Sequence, residues 1–189
     1  VNPAQLEKAL QTITRNFDRQ IGKGTVSEEQ KQKALANLTT DTDLAKAVSK
    51  ADLVVEAATE NAELKLKIFK QIDEAAPAQA ILATNTSSIS ITKIAAATSR
   101  PGKVIGMHFM NPVPVMKLVE IINGYATEAT VTDAIVQLSA ALGKIPCVVN
   151  DYPGFIANKI LMPMINEAIY SLYEGIAGVD SIDTIMKLG

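Results

Sequence analysis

The sequence predicts an α/β fold, a doubly wound sheet followed by the start of an all-helical region, and three observations predict it. Apolar segments at 52–57, 80–85 and 104–109 have the length of buried strands, and helical patterns separate them. Two further apolar segments, 117–122 and 145–149, enclose another helical pattern at 128–142. At Asp151-Tyr152-Pro153-Gly154 this alternation stops, and residues 155–173 form a long apolar run without strand punctuation. Strands alternating with helices imply a parallel sheet covered on both faces. We therefore expect one domain over 1–150 and the beginning of a helical one over 151–189.

Each element has a local reason. Asn2-Pro3 is a cap followed by proline at the first helical position, which starts a helix running to about residue 21. Ser27-Glu28-Glu29-Gln30 has capping-box spacing and starts a second. The strand at 52–57 leads to a helix over 62–76, and the strand at 80–85 leads to a turn or two of helix over 91–97. After the strand at 104–109, segment 117–122, helix 128–142 and segment 145–149 continue the sheet. Residues 179–188 form the last helix, with Ser181-Ile182-Asp183 near its start.

Composition narrows the function classes. With 189 residues, 48% apolar and 20% charged, the chain can bury a full core. A net charge of −2 gives no basic field, so nucleic acid is not an expected partner. The lone Cys147 excludes an intrachain disulfide and a cysteine zinc cluster, and an apolar strand position is expected for it. No uninterrupted apolar stretch is long enough to span a membrane. The chain opens on Val1-Asn2-Pro3 without initiator methionine or signal peptide and stops at Leu188-Gly189, so an internal piece of a longer protein is expected.

Chemistry is expected at the carboxyl ends of the strands, where open α/β sheets bind ligands. Glu56 and Glu60 follow the first strand, Asn85-Thr86-Ser87-Ser88 the second, and His108, the only histidine, ends the third. Imidazole can take and return a proton near neutral pH, and Glu120, twelve residues on across a Pro-x-Pro turn, could hold its tautomer. Taken singly, Asn85, Ser87 and Ser88 read equally well as turn formers, and a lone histidine reads more readily as a structural one. Gly22-Lys23-Gly24 follows a helix and has serine at the third glycine position, so it is no dinucleotide fingerprint; no G-x-G-x-x-G occurs in these residues.

Three segments together carry a resemblance: Ala83-Thr84-Asn85-Thr86-Ser87-Ser88, then Gly106-Met107-His108-Phe109-Met110-Asn111-Pro112-Val113-Pro114-Val115-Met116-Lys117-Leu118-Val119-Glu120, then Pro153-Gly154-Phe155-Ile156-Ala157-Asn158. The chain resembles, over its whole length, the L-3-hydroxyacyl-CoA dehydrogenases, and within them the bacterial 3-hydroxybutyryl-CoA dehydrogenases. The resemblance implies a Rossmann-like sheet, NAD as cofactor, an acyl-CoA substrate, a cytoplasmic location and a homodimer formed through the C-terminal domain. It makes His108 the catalytic base, Glu120 the acid that orients it, and Ser87 and Asn158 the groups that contact the reacting oxygen or the substrate carbonyl. Ala57, Glu60 and Lys65, with Asn85 and Ser87, match positions lining the nicotinamide and its ribose. Arg19 and Lys23 match basic positions near coenzyme A, a solvated helix face being the alternative.

The chemistry agrees with these roles. Oxidising a secondary alcohol requires loss of the hydroxyl proton as hydride leaves carbon, and a carboxylate-paired imidazole can accept it. The family also begins with a strand and a glycine-rich turn that cradles pyrophosphate, and it continues past the helices seen here. The sheet is thus expected to be incomplete, and the piece alone to turn over poorly. The choice of NAD over NADP rests on family habit. Two alternatives remain at this stage: a non-catalytic structural or binding protein on the same scaffold, and a related hydroxyacid dehydrogenase.

Overall fold

The computed structural model describes residues 2–189. Helix α1 (Pro3–Gly22) starts at a capping box in which Asn2 accepts from the Gln5 amide and the Gln5 side chain accepts from the Asn2 amide. Helix α2 (Glu28–Ala36) is capped in the same way by Ser27 and Gln30. These two helices pair with each other and bury no residue, so they stand outside the main core. A short helix, α3 (Leu44–Val48), was not expected; with only five residues, capped by Asp43, it has no periodicity to read.

The sheet contains β1 (Leu53–Glu56), β2 (Ile81–Thr84), β3 (Val104–Phe109), β4 (Leu118–Asn123) and β5 (Ile145–Asn150), in the spatial order β1-β2-β3-β4-β5. Helix α4 (Ala62–Ala75) connects β1 to β2; α5 (Ile91–Ala95) and a 3-10 turn at Pro101–Lys103 connect β2 to β3; α6 (Ala129–Ala141) connects β4 to β5. Those three junctions are parallel. The fourth departs from expectation: β4 runs antiparallel to β3. Only residues 110–117 join them, too few for the crossover that parallel strands need.

Side chains of the two sheet faces form two cores. On one face Phe69 and Ile72 of α4 and Ile91 and Ile94 of α5 pack over Leu82, Val104 and Ile122. On the other, Val131 and Ile135 of α6 cover Ala83, Ile105, Met107, Val119 and Ile121. Phe69 is fully buried, a contribution of roughly 1.5–3 kcal/mol. Gly106 lies where a β-carbon would come 2.8 Å from Ile122 Cβ, so only glycine lets β3 and β4 meet their cover at this point. Strand β5 is half uncovered, and Cys147 on it is exposed.

The chain leaves the sheet through Gly154 (φ 81°) and Phe155 (φ 50°). Phe155 does not begin the helix; its buried ring belongs to the core over α5. The following helices, α7 (Ala157–Tyr173) and α8 (Val179–Leu188), bury no residue and expose apolar side chains that include Ile160, Ile169 and Ile185. No helix among the described residues is long and apolar enough to cross a membrane.

Candidate active site

The antiparallel return of β4 creates the centre of the site. Its register sets His108 directly opposite Glu120, so both side chains leave the same face of the sheet. His108 Nδ1 lies 2.9 Å from Glu120 Oε2, and His108 Nε2 lies 3.1 Å from Ser87 Oγ. The carboxylate accepts from Nδ1–H, which leaves the Nε2 lone pair toward Ser87. Ser87 stands on the turn after β2, whose last residue, Thr84, pairs with Gly106, two residues before His108. Both members of the dyad are buried, and the Phe155 ring lies 6.1 Å from the imidazole.

The second oxygen of Glu120 has a function that spacing alone does not reveal. Oε1 accepts from the amides of Ile156 at 3.1 Å and Ala157 at 3.0 Å. These open α7, which has no side-chain cap of its own. Glu120 therefore caps α7 and orients His108 with the same carboxylate, and its contacts are all donations to it. Asn158, in the first turn of α7, donates from Nδ2 to the Ser87 carbonyl at 3.4 Å. Four expected residues, Ser87, His108, Glu120 and Asn158, thus form one continuous cluster.

The expected cofactor residues gather beside it. Ala57, Ala58, Thr59, Glu60, Lys65 and Asn85 line a cavity of about 240 Å³ beyond the carboxyl ends of β1 and β2. Asn85 is held in place, its Oδ1 accepting from the Phe109 amide at 2.9 Å, which ties the ends of β2 and β3 together. Glu60 accepts from Thr86 Oγ1 at 2.8 Å and from the Ser87 amide at 3.4 Å. Lys65 lies beneath the cavity, with its ammonium paired to Glu56 and 3.4 Å from Thr84 Oγ1. Burial alone would raise the Glu56 carboxyl, but bonds from Lys65, the Ala58 amide and Thr84 outweigh it and hold it below the usual carboxylate range.

The buried set of Glu56, Lys65 and Thr84 escaped the sequence reading as a unit. A signal was available: Lys65 falls on the i, i+4, i+7 stripe it shares with Phe69 and Ile72, and a charge on a buried face requires a partner. Asp151 likewise shows in the sequence only as part of the boundary segment. Its Oδ2 accepts from Ser90 Oγ at 2.6 Å and from the Thr92 amide at 2.8 Å, which moors the end of β5 to the start of α5. Burial tends to raise this carboxyl as well, but these bonds prevail and hold it below its ordinary value.

Arg19 and Lys23 are not part of the His108 cluster. Both are exposed near the end of α1 and border a separate cleft of about 660 Å³, whose opposite wall is Asn111-Pro112-Val113-Pro114-Val115. The Lys144 ammonium steadies that wall by donating to the carbonyls of Val113 and Met116.

Comparison with known proteins places this arrangement. The family model described as 3-hydroxyacyl-CoA dehydrogenase, NAD binding domain, matches residues 1–152, and the one described as the C-terminal domain of the same enzymes matches residues 154–189. A probable 3-hydroxybutyryl-CoA dehydrogenase of Bacillus subtilis is 47% identical over the whole chain, which covers 66% of that protein. A 3-hydroxybutyryl-CoA dehydrogenase of Bradyrhizobium diazoefficiens is 49% identical, again over the whole chain and 64% of the relative. The crystal structure of (S)-3-hydroxybutyryl-CoA dehydrogenase from Ralstonia eutropha superposes with a TM-score of 0.96 at 49% identity, over all of this chain and 66% of that one. The chain spans about two thirds of the length of these relatives.

Proposed function

Because the chain belongs to the 3-hydroxyacyl-CoA dehydrogenase family, we propose that it carries the catalytic centre of an NAD-dependent enzyme that interconverts L-3-hydroxyacyl-CoA, 3-hydroxybutyryl-CoA in particular, and 3-oxoacyl-CoA. The observation that carries this reading is the hydrogen-bonded line Ser87–His108–Glu120 beside the cavity bounded by Glu60 and Asn85. His108 Nε2 takes the hydroxyl proton of the substrate, and Glu120 holds the ring and balances the imidazolium. In the reverse direction the same nitrogen returns the proton. Ser87 Oγ and Asn158 Nδ2 are neutral groups at the mouth of this line, suited to hold the substrate oxygen in position.

The cavity at Ala57, Glu60 and Asn85 suits the nicotinamide and its ribose: a small polar recess at strand carboxyl ends, with acceptors for sugar hydroxyls. It is too small for a whole dinucleotide. Bound there, NAD supplies the hydride acceptor. Lys65 lines the floor of this recess, with its ammonium paired to Glu56. Arg19 and Lys23 supply positive charge on one wall of their cleft, and Val113 and Val115 supply apolar surface on the other. That pairing suits the phosphates and pantetheine arm of coenzyme A.

The division between the coenzyme part and the helical part falls at 150/151 in this proposal, where β5 ends and the chain turns toward α7. A homodimer through the helical part accords with the apolar face of α7 and α8. The deciding experiment follows NADH absorbance with acetoacetyl-CoA and, in parallel, with free 3-oxo acids, using a polypeptide of the relatives' length that contains these residues. Turnover of the thioester but not of the free acid is expected. Equal rates on both would reject the acyl-CoA assignment, and no turnover of either would reject catalysis.

A further inference from the structure

The mechanism above leaves Thr86 unused, although its side chain is fully buried and more heavily bonded than a turn requires. Thr86 Oγ1 donates to Glu60 Oε2 at 2.8 Å and accepts from the amides of Ile89 at 3.0 Å and Ser88 at 3.4 Å. The Thr86 amide donates to Thr84 Oγ1 at 3.3 Å, and Thr84 in turn donates to Glu56, the partner of Lys65. Ser87 is the next residue, and its own amide is directed at the other oxygen of Glu60. One carboxylate thus grips two successive residues of the turn, and the hydroxyl of the first closes that turn from beneath.

We propose that Thr86 is a positioning residue that couples the Glu60 cavity to the proton-transfer pair. Its hydroxyl sets the place of Ser87, and through Ser87 the hydrogen bond to His108 Nε2. The chain of contacts runs from Glu60 through Thr86 to the Ser87 backbone and then to the imidazole. Anything that displaces the Glu60 carboxylate is felt at His108 by this route. The inference rests on the dehydrogenase reading only in giving the Ser87–His108 pair a proton to move; the coupling itself is a matter of geometry.

His108 is the only histidine, so its two ring nitrogens give a single pair of side-chain 15N signals in the 189-residue chain. The experiment records these shifts at fixed pH for the wild type and for the variants Ser87→Ala, Thr86→Val, Thr86→Ser and Glu60→Gln. Ser87→Ala removes the hydroxyl and defines the displaced Nε2 signal. Thr86→Val, which keeps the shape and removes the hydroxyl, should move Nε2 at least half of the way to that position. Thr86→Ser should return it to the wild-type value, which a merely structural threonine would not require. Glu60→Gln alters an exposed side chain and tests the same link from the other end; it should move Nε2 in the same direction.

Three results would overturn the proposal: Thr86→Val and Glu60→Gln leaving Nε2 at the wild-type shift, Thr86→Ser failing to restore it, or Ser87→Ala leaving it unmoved. Should Thr86→Val not fold, Glu60→Gln and Thr86→Ser decide the matter between them. An absence of NADH-linked turnover in the wild type would count against the dehydrogenase reading alone, because these shifts report on the hydrogen bond without turnover.

Discussion

Glu120 shows how much one carboxylate can be asked to do. It receives the imidazole N–H on one oxygen and two amides of α7 on the other. Replacing His108 with alanine removes the base and should lower kcat by about 10²–10⁴-fold, with little change in NADH affinity measured by fluorescence. Glu120→Gln should cost less activity, because the ring stays in place. It should also lower stability by about 1 kcal/mol in urea unfolding, because an amide cannot accept on both sides and a helix cap is lost. A fully active Glu120→Gln enzyme would remove the orienting role. Asp151 offers a separate test by pH. Its folded carboxyl lies below the ordinary value of 3.8, so its stabilising contribution is complete above that value and disappears as pH falls through the lower folded one. Asp151→Asn should therefore be clearly less stable than wild type at neutral pH, with the difference closing below pH 3.8.

At the scale of elements, the decisive feature is the short return from β3 to β4. A crossover would have carried Glu120 away from His108; eight residues force an antiparallel neighbour, and the register makes the two side chains face each other. The same close meeting explains Gly106, which pairs with Ile122 two residues before the dyad. Gly106→Ala would press a methyl group to within 2.8 Å of the branched Ile122 Cβ, which cannot swing aside. It should destabilise the protein by about 1–3 kcal/mol in denaturant unfolding and lower activity by shifting β3 against β4. Wild-type stability and activity in this variant would show that the strands can separate without disturbing the site.

At the scale of the molecule, the strand carboxyl ends and the α1 surface carry two separate clefts. One is the recess at Glu60 and Asn85, and the other the open cleft between α1 and the Asn111–Val115 wall. The 189 residues contain no G-x-G-x-x-G. They are therefore expected to bind NADH weakly by themselves and to reduce acetoacetyl-CoA much more slowly than a polypeptide of the relatives' length. A fluorescence titration and an NADH absorbance assay on both would measure the difference, and equal rates would mean that the recess alone suffices to hold the coenzyme.

Much of this was legible in the chain itself. Alternating patterns and caps such as Asn2-Pro3 and Ser27–Gln30 act over a few residues, so they declare helices and strands locally, and β1, β2 and β3 with their connecting helices fell where the pattern put them. The residue types at the strand ends, and their resemblance to a known family, marked Ser87, His108, Glu120 and Asn158 before any geometry. Other features depend on residues distant in sequence and close in space. The reversed direction of β4, the capping of α7 by Glu120, the Glu56–Lys65–Thr84 set beneath the recess and the mooring of α5 by Asp151 all join segments nine to sixty-one residues apart. Local pattern carries no record of such pairings, because it registers which face a residue takes and not what will lie opposite it. Folding supplied the partner, and with the partner the site's chemistry.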